Sequence, residues 1–161
     1  MTAFVPILMG SRSDLSQAQA IAEALKTFGI ETEIRVGSAH KTPAHVLEIL
    51  KAYEADPRSK VYITIAGRSN ALSGFVDAQV TAPVIACPPV SSSFGGADIY
   101  SSLRMPSGVA PAVIIEPTGA ALLAAKILAL GDPELKARIA AYQQQLADII
   151  IKDDKEVNSH G

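Results

Sequence analysis

Three short stretches carry the side chains that could do chemistry: Met9-Gly10-Ser11-Arg12-Ser13-Asp14, Gly37-Ser38-Ala39-His40-Lys41-Thr42-Pro43 and Ala66-Gly67-Arg68-Ser69-Asn70. His40 is the candidate acid/base, because imidazole is the side chain that changes charge near physiological pH. Lys41 beside it offers a cation for a carboxylate or phosphate. Around Gly10 the backbone can approach a ligand closely, and the Ser11 and Ser13 hydroxyls with free N–H groups at a helix start suit a phosphate. Gly67 permits the same close approach, while Ser69 and Asn70 are good helix caps. Alone, the first stretch reads equally well as an ordinary capped helix start, and the other two read more readily as surface or structural turns. The first is neither a P-loop, for it lacks the Gly-Lys-Ser/Thr ending, nor a Gly-x-Gly-x-x-Gly dinucleotide turn.

What gives the three turns weight is where the chain puts them. Phe4 to Met9 is a short apolar run with β-branched members, as in a strand buried on both faces. Leu15, Ala18, Ile21, Ala22 and Leu25 then recur at helical spacing until Gly29. The alternation repeats: a strand at Glu33 to Val36, a helix at Pro43 to Ala55, a strand at Val61 to Ala66, a helix from Asn70 into Gln79, and short strands at Val84 to Cys87 and Ala112 to Ile115. Thr42 is the expected cap of the second helix and Pro43 suits its first position. Strands alternating with helices predict a three-layer α/β domain with a parallel sheet, and five strands would give a flavodoxin-like order. The three turns then stand at the carboxyl ends of consecutive strands, where such sheets bind ligands.

The remaining segments are less chemical. Pro88 to Pro111 is rich in Pro, Ser and Gly, holds a short helix at Ala97 to Leu103, and is expected to be a pocket wall or subunit seam, with Ser91 to Ser107 reaching the site. Ala120 to Leu130 is apolar on nearly every face except Lys126, so it must be covered all round, which the outer layer of one small domain seldom manages alone, and a second subunit is expected to complete the cover. The extra C-terminal helix, Pro133 to Ile151, has one stripe of Leu135, Ile139, Tyr142, Leu146 and Ile149, and 152–161 is expected to fray. His45 falls inside a helix and reads as a structural or surface residue, and His160 lies in the tail. Cys87 reads as an apolar filler without an activating base. No set of residues has metal-ligand spacing, so no metal is expected.

Composition bounds the partners. At 161 residues and 48% hydrophobic content, one domain spanning 1–161 is expected. A formal charge of -2 without basic runs argues against a nucleic-acid or anionic-membrane binder. The lone cysteine, the missing leader pattern and the absence of a long uncharged run predict a cytoplasmic protein.

The motifs Met9-Gly-Ser-Arg-Ser-Asp14, Gly37-Ser-Ala-His-Lys41, Ala66-Gly-Arg-Ser-Asn-Ala-Leu-Ser-Gly74 and Ser101-Ser-Leu-Arg-Met-Pro-Ser-Gly108 together resemble the PurE family of purine biosynthesis, which acts on aminoimidazole ribonucleotide. The resemblance runs from Val5 to about the last helix. Members of the mutase class typically carry Ser-Ala-His-Arg at the second turn and a Gly-Gly-Ala-Ala-His-Leu-Pro-Gly type third turn. Here Lys41 and Gly67 to Gly74 resemble the other class, which carboxylates the ribonucleotide with CO2. That resemblance implies a flavodoxin-like homo-octamer without a cofactor. It also implies that His40 moves the proton, that Ser11 and Ser13 bind phosphate, that Asp14 binds the ribose hydroxyls, and that Ser38, Lys41, Gly67 and Ser69 line the phosphate and base region. Gly10, Ala39, Arg68, Asn70 and Leu72 complete the expected substrate-binding set. A phosphoreceiver is disfavoured because Gly67-Arg68, not an aspartate, ends the third strand, and a flavin carrier would be yellow.

Overall fold

The computed structural model describes residues 3–159. Its first strand, β1 (Phe4–Met9), is buried along its whole length, as its unbroken apolar run requires. Parallel neighbours lie on either side of it: β2 (Glu31–Val36) and β3 (Tyr62–Ile65). With β4 (Val84–Ala86) and β5 (Ala112–Val113) they form one five-stranded sheet in the order β2-β1-β3-β4-β5. This is the flavodoxin-like order, and its reversal point falls beside β1 and β3.

Register then decides where the loops meet. Met9 is level with Val36 of β2 and with Ile65 of β3. Two backbone bonds of 2.9 Å, from Gly10 N–H to the Ile65 carbonyl and from Gly37 N–H to the Met9 carbonyl, carry the pairing one residue further. All three turns therefore leave the sheet at the same height and on the same edge.

Side chains of β1 alternate between two cores. Val5, Ile7 and Met9 face the layer of α1 (Leu15–Lys26), α5 (Pro117–Leu128) and α6 (Pro133–Asn158), while Phe4 and Leu8 face α2 (Pro43–Glu54) and α3 (Ala71–Asp77). A four-residue helix, α4 (Tyr100–Leu103), lies against α3. Fully burying a side chain such as Ile7 or Leu8 is worth roughly 1.5–3 kcal/mol, so the central strand anchors both layers.

Two expectations about the last helices change. The α5 helix does not leave a bare apolar surface: Ala120, Ala121, Ala124 and Ala125 are buried among α1 and the sheet, and Leu122, Leu123 and Ile127 pack against the same core. Alanines let α5 approach closely enough for the chain to cover it. Apolar surface instead collects on the far half of α6, where Leu146, Ile149, Ile150, Ile151 and Val157 are exposed. That helix also continues to Asn158 instead of fraying after Ile151. Its final turns are polar but contain no glycine or proline, and Lys152 reaches Glu156 at 3.6 Å along the helix. His160 lies outside the described residues. No helix among the described residues is long and apolar enough to cross a membrane.

Candidate active site

The first turn is fixed by its own serines. Ser11 Oγ accepts the Ser13 backbone N–H at 3.3 Å and the Ser13 hydroxyl at 3.0 Å, capping the helical turn that leads into α1. Both hydroxyls stay exposed at the cleft. Asp14 is partly buried there, and desolvation raises its carboxyl above the ordinary value, opposed by a hydrogen bond from Ser13.

The second turn closes on itself. Ser38 N–H donates to Thr42 Oγ1 at 3.0 Å, the Thr42 hydroxyl returns to the Ser38 carbonyl at 3.3 Å, and Lys41 N–H donates to Ser38 Oγ at 3.2 Å. Thr42 thus locks the loop; its side chain makes no capping bond to α2, contrary to expectation. Pro43 does begin that helix. With the backbone satisfied internally, the His40 and Lys41 side chains are exposed, and neither has a hydrogen-bond or ion-pair partner among the described residues. His45 is exposed on α2 and lies outside the cleft lining.

The third turn is the most constrained. Arg68, at φ 59°, is the one non-glycine residue with positive φ among the described residues. Its N–H donates to Asp98 Oδ2 at 3.3 Å. Gly67 lies so close to the Pro89 ring that an added Cβ would sit 2.9 Å from Pro89 Cγ. Asn70 caps α3 by accepting Ser73 N–H at 3.1 Å.

Together these turns wall a cleft of ≈ 790 Å³, within the range of small-molecule ligand pockets. The first turn contributes Gly10, Ser11, Ser13 and Asp14, the second Ser38, Ala39, His40 and Lys41, and the third Gly67, Arg68 and Ser69, with Leu72 behind them. Asn70 is the one expected contact that the cleft does not include: it is 4% exposed and its carboxamide is used inside the protein. The remaining wall is Ala66, at the head of the third turn, with Pro89, Val90, Ser91 and Ser92, from the same chain. The last four lie at the start of the Pro88 to Pro111 segment expected to be a pocket wall or subunit seam; Ser91 and Ser92 belong to the part expected to reach the site, and Pro89 and Val90 come just before it. Beyond Ser92 that segment leaves the cleft; Met105, for example, packs on Gly74 of α3. Gly67 and Pro89 to Ser91 also separate the cleft from a smaller, mostly apolar cavity of ≈ 170 Å³.

Cys87 is buried next to this wall, with Gln17 Nε2 donating to its carbonyl at 2.8 Å. Burial pushes its thiol up, which suits the filler role and not a thiolate nucleophile. No cluster of three His, Cys, Asp or Glu side chains able to hold a metal occurs among the described residues.

By fold and site, the chain is a flavodoxin-like α/β protein with a polar cleft at the carboxyl edge of its parallel sheet, the edge at which this architecture takes its ligands. Comparison with known proteins narrows the class. Residues 4–148 match the AIR carboxylase family. A phosphoribosylaminoimidazole carboxylase of Treponema denticola is 60% identical over 157 residues, covering 98% of this chain and 99% of the relative. One from Archaeoglobus fulgidus is 53% identical over 151 residues, covering 94% and 83%. The crystal structure of Treponema denticola PurE superimposes with a TM-score of 0.94, at 60% identity, over 96% of this chain and 98% of that one. The chain belongs to the AIR carboxylase, or PurE, family.

Proposed function

We propose that the chain is the CO2-dependent carboxylase of this family, interconverting 5-aminoimidazole ribonucleotide plus CO2 with the 4-carboxy ribonucleotide in purine biosynthesis. The observation that carries the reading is the level register of β1, β2 and β3, which sets His40 and Lys41 over the Gly10 to Asp14 cradle and opposite the Gly67 to Ser69 turn.

In this reading Ser11 and Ser13 hold the phosphate, with the dipole of the helical start favouring its charge. Asp14 accepts hydrogen bonds from the ribose. Ser38, Ala39, Gly67, Ser69 and Leu72 enclose the base. The ring carbon C4, enamine-like, attacks CO2 and a carbon–carbon bond forms. The C4–H bond then breaks: its electron pair restores the aromatic ring and the proton passes to a nitrogen of His40. Lys41 and the third-turn dipoles stabilise the new carboxylate. Nothing here calls for a metal or organic cofactor. In the reverse direction His40 returns the proton as CO2 leaves. The third turn favours direct carboxylation over rearrangement of the N5-carboxy ribonucleotide, since Gly67-Arg68-Ser69-Asn70-Ala71-Leu72-Ser73-Gly74 lacks the histidine and proline typical of the mutase class.

The bare half of α6 supports self-association, in which that face meets a second copy, and the family resemblance implies that the assembly is a homo-octamer. We place the protein in the cytoplasm, where Cys87 stays a thiol.

The test is His40→Asn. Asparagine keeps approximate size and hydrogen bonding but does not take up the C4 proton, so turnover should fall about 100- to 10,000-fold while nucleotide binding persists. A variant within a few-fold of the unaltered protein would remove His40 from its role.

A further inference from the structure

Asn70 has more bonds than a helix cap needs. Capping α3 uses only its Oδ1, which accepts Ser73 N–H at 3.1 Å and the Ser73 hydroxyl at 2.9 Å. The other end of the carboxamide, Nδ2, donates to Ser102 Oγ at 2.9 Å. Its backbone N–H donates to Ser101 Oγ at 2.9 Å, and the Ser101 hydroxyl in turn donates to the Asp98 carbonyl at 2.7 Å. The network reaches the sheet through Thr64 Oγ1, 2.7 Å from Ser73 Oγ. Thr64 and Ser73 are fully buried, Ser102 is 2% exposed and Asn70 4%. A polar network this dry holds one arrangement, because any displacement leaves a group unpaired without water to replace its partner.

Three of the bonds beyond the cap tie one turn to one segment. Arg68 N–H to Asp98, Asn70 N–H to Ser101 and Asn70 Nδ2 to Ser102 join residues 68–70 to residues 98–102. The turn so held contains Arg68 in the left-handed region, a conformation that persists in a non-glycine residue when its surroundings over-determine it. The opposite side of that turn, Gly67 to Ser69, is cleft wall.

We propose that Asn70, backed by Ser102, is a positioning residue: clamped between α3 and α4, it sets the peptide groups of residues 67–69 against the carboxylate that forms on the base. This rests on the carboxylase reading, in which the third turn faces that carboxylate and the first turn holds the phosphate. The same turn encloses the base that both nucleotides share, so the clamp acts mainly on the carboxylated nucleotide, whose added charge meets the turn's peptide groups, and only weakly on the one without a carboxylate.

Ser102→Ala separates these roles, since it leaves the Asn70 cap on Ser73 intact and removes only the outer anchor. The KM of each nucleotide is measured, in the carboxylating and decarboxylating directions, with thermal unfolding alongside. We expect the KM of the carboxylated nucleotide to rise about tenfold or more, the range for a weakened hydrogen bond to a charged group, with the KM of aminoimidazole ribonucleotide within about threefold. Ser102→Thr, which keeps the hydroxyl, should restore the ratio. A purely structural defect lowers the active fraction and moves neither KM. If both KM values stay put, or both rise equally, the positioning role is wrong. Should Ser102→Ala not fold, Ser101→Ala, which removes the acceptor of the Asn70 N–H from a half-buried site, is judged by the same ratio. Failure of the unaltered protein to turn over either nucleotide would instead overturn the carboxylase reading itself.

Discussion

Gly67→Ala is a perturbation whose size can be worked from distances. Gly67 does not have positive φ, so alanine brings no backbone strain, and the effect comes from the methyl group alone. That methyl would sit 2.9 Å from Pro89 Cγ and 3.5 Å from Pro89 Cδ. Carbon atoms pack best at about 3.5–4.0 Å, so the two walls must part by roughly half an ångström or more. The pyrrolidine ring is joined to its own backbone and cannot swing aside as a long side chain would. Both residues line the cleft, and the strain is accommodated by moving one of its walls. Overpacking of this kind costs about 1 kcal/mol at the lower end of its range. A misplacement near 1 Å costs about 100-fold in rate, so half of that predicts about a tenfold loss in kcat/KM for carboxylation. Gly10→Ala is the control, because its methyl would meet Ala66 Cβ at 3.7 Å and the Ile65 carbonyl at 3.8 Å, both ordinary contacts. It should change stability by less than about 0.5 kcal/mol, and any rise in KM then reports the ligand's own approach to the backbone. Steady-state kinetics and thermal unfolding of both variants decide the matter. A folded Gly67→Ala protein with kcat/KM within twofold of the parent would refute the claim that this wall positions the substrate.

Two further outcomes follow from the rest of the molecule. The Asp56 carboxyl is held at about 2 by hydrogen bonds from the Arg58 side chain, then from its backbone; a carboxyl lowered in the folded state stabilises fully above its ordinary value of 3.8 and loses that contribution as pH falls towards 2. Asp56→Asn should therefore flatten the fall in stability between about pH 4 and 2, and unchanged acid unfolding would rule the pair out as a contributor. Leu146 is 47% exposed on α6, so Leu146→Asp should leave the protomer folded but dissociate the assembly in sedimentation at low micromolar concentration; a parent protein that is a stable, active monomer would refute the octamer.

Much of the fold was legible because its signals are local. The β1 run, the helical spacing from Leu15 to Leu25 and the glycines after the first three strands carry their meaning within a few residues, and the cleft follows once the strands are level. What stayed hidden depends on partners far along the chain. Asn70 looks the same whether its amide meets a ligand or Ser102, which lies 32 residues away in a motif that does not say what its hydroxyls contact. Thr42 is a good cap by type, yet the return of the loop to Ser38 takes its hydroxyl. The cover over α5 depends on how closely α1 can approach its alanines, a matter of packing. The polar end of α6 reads as a stop by its charge, yet it holds no glycine or proline to break the helix.

The central claim is tested most directly by supplying the purified protein with aminoimidazole ribonucleotide and CO2 in one assay and with the N5-carboxy ribonucleotide in another, in the presence of a trap for free CO2. Formation of the 4-carboxy ribonucleotide in the first and no useful conversion in the second is the predicted result. Efficient conversion of the N5-carboxy compound without release of free CO2 would contradict it.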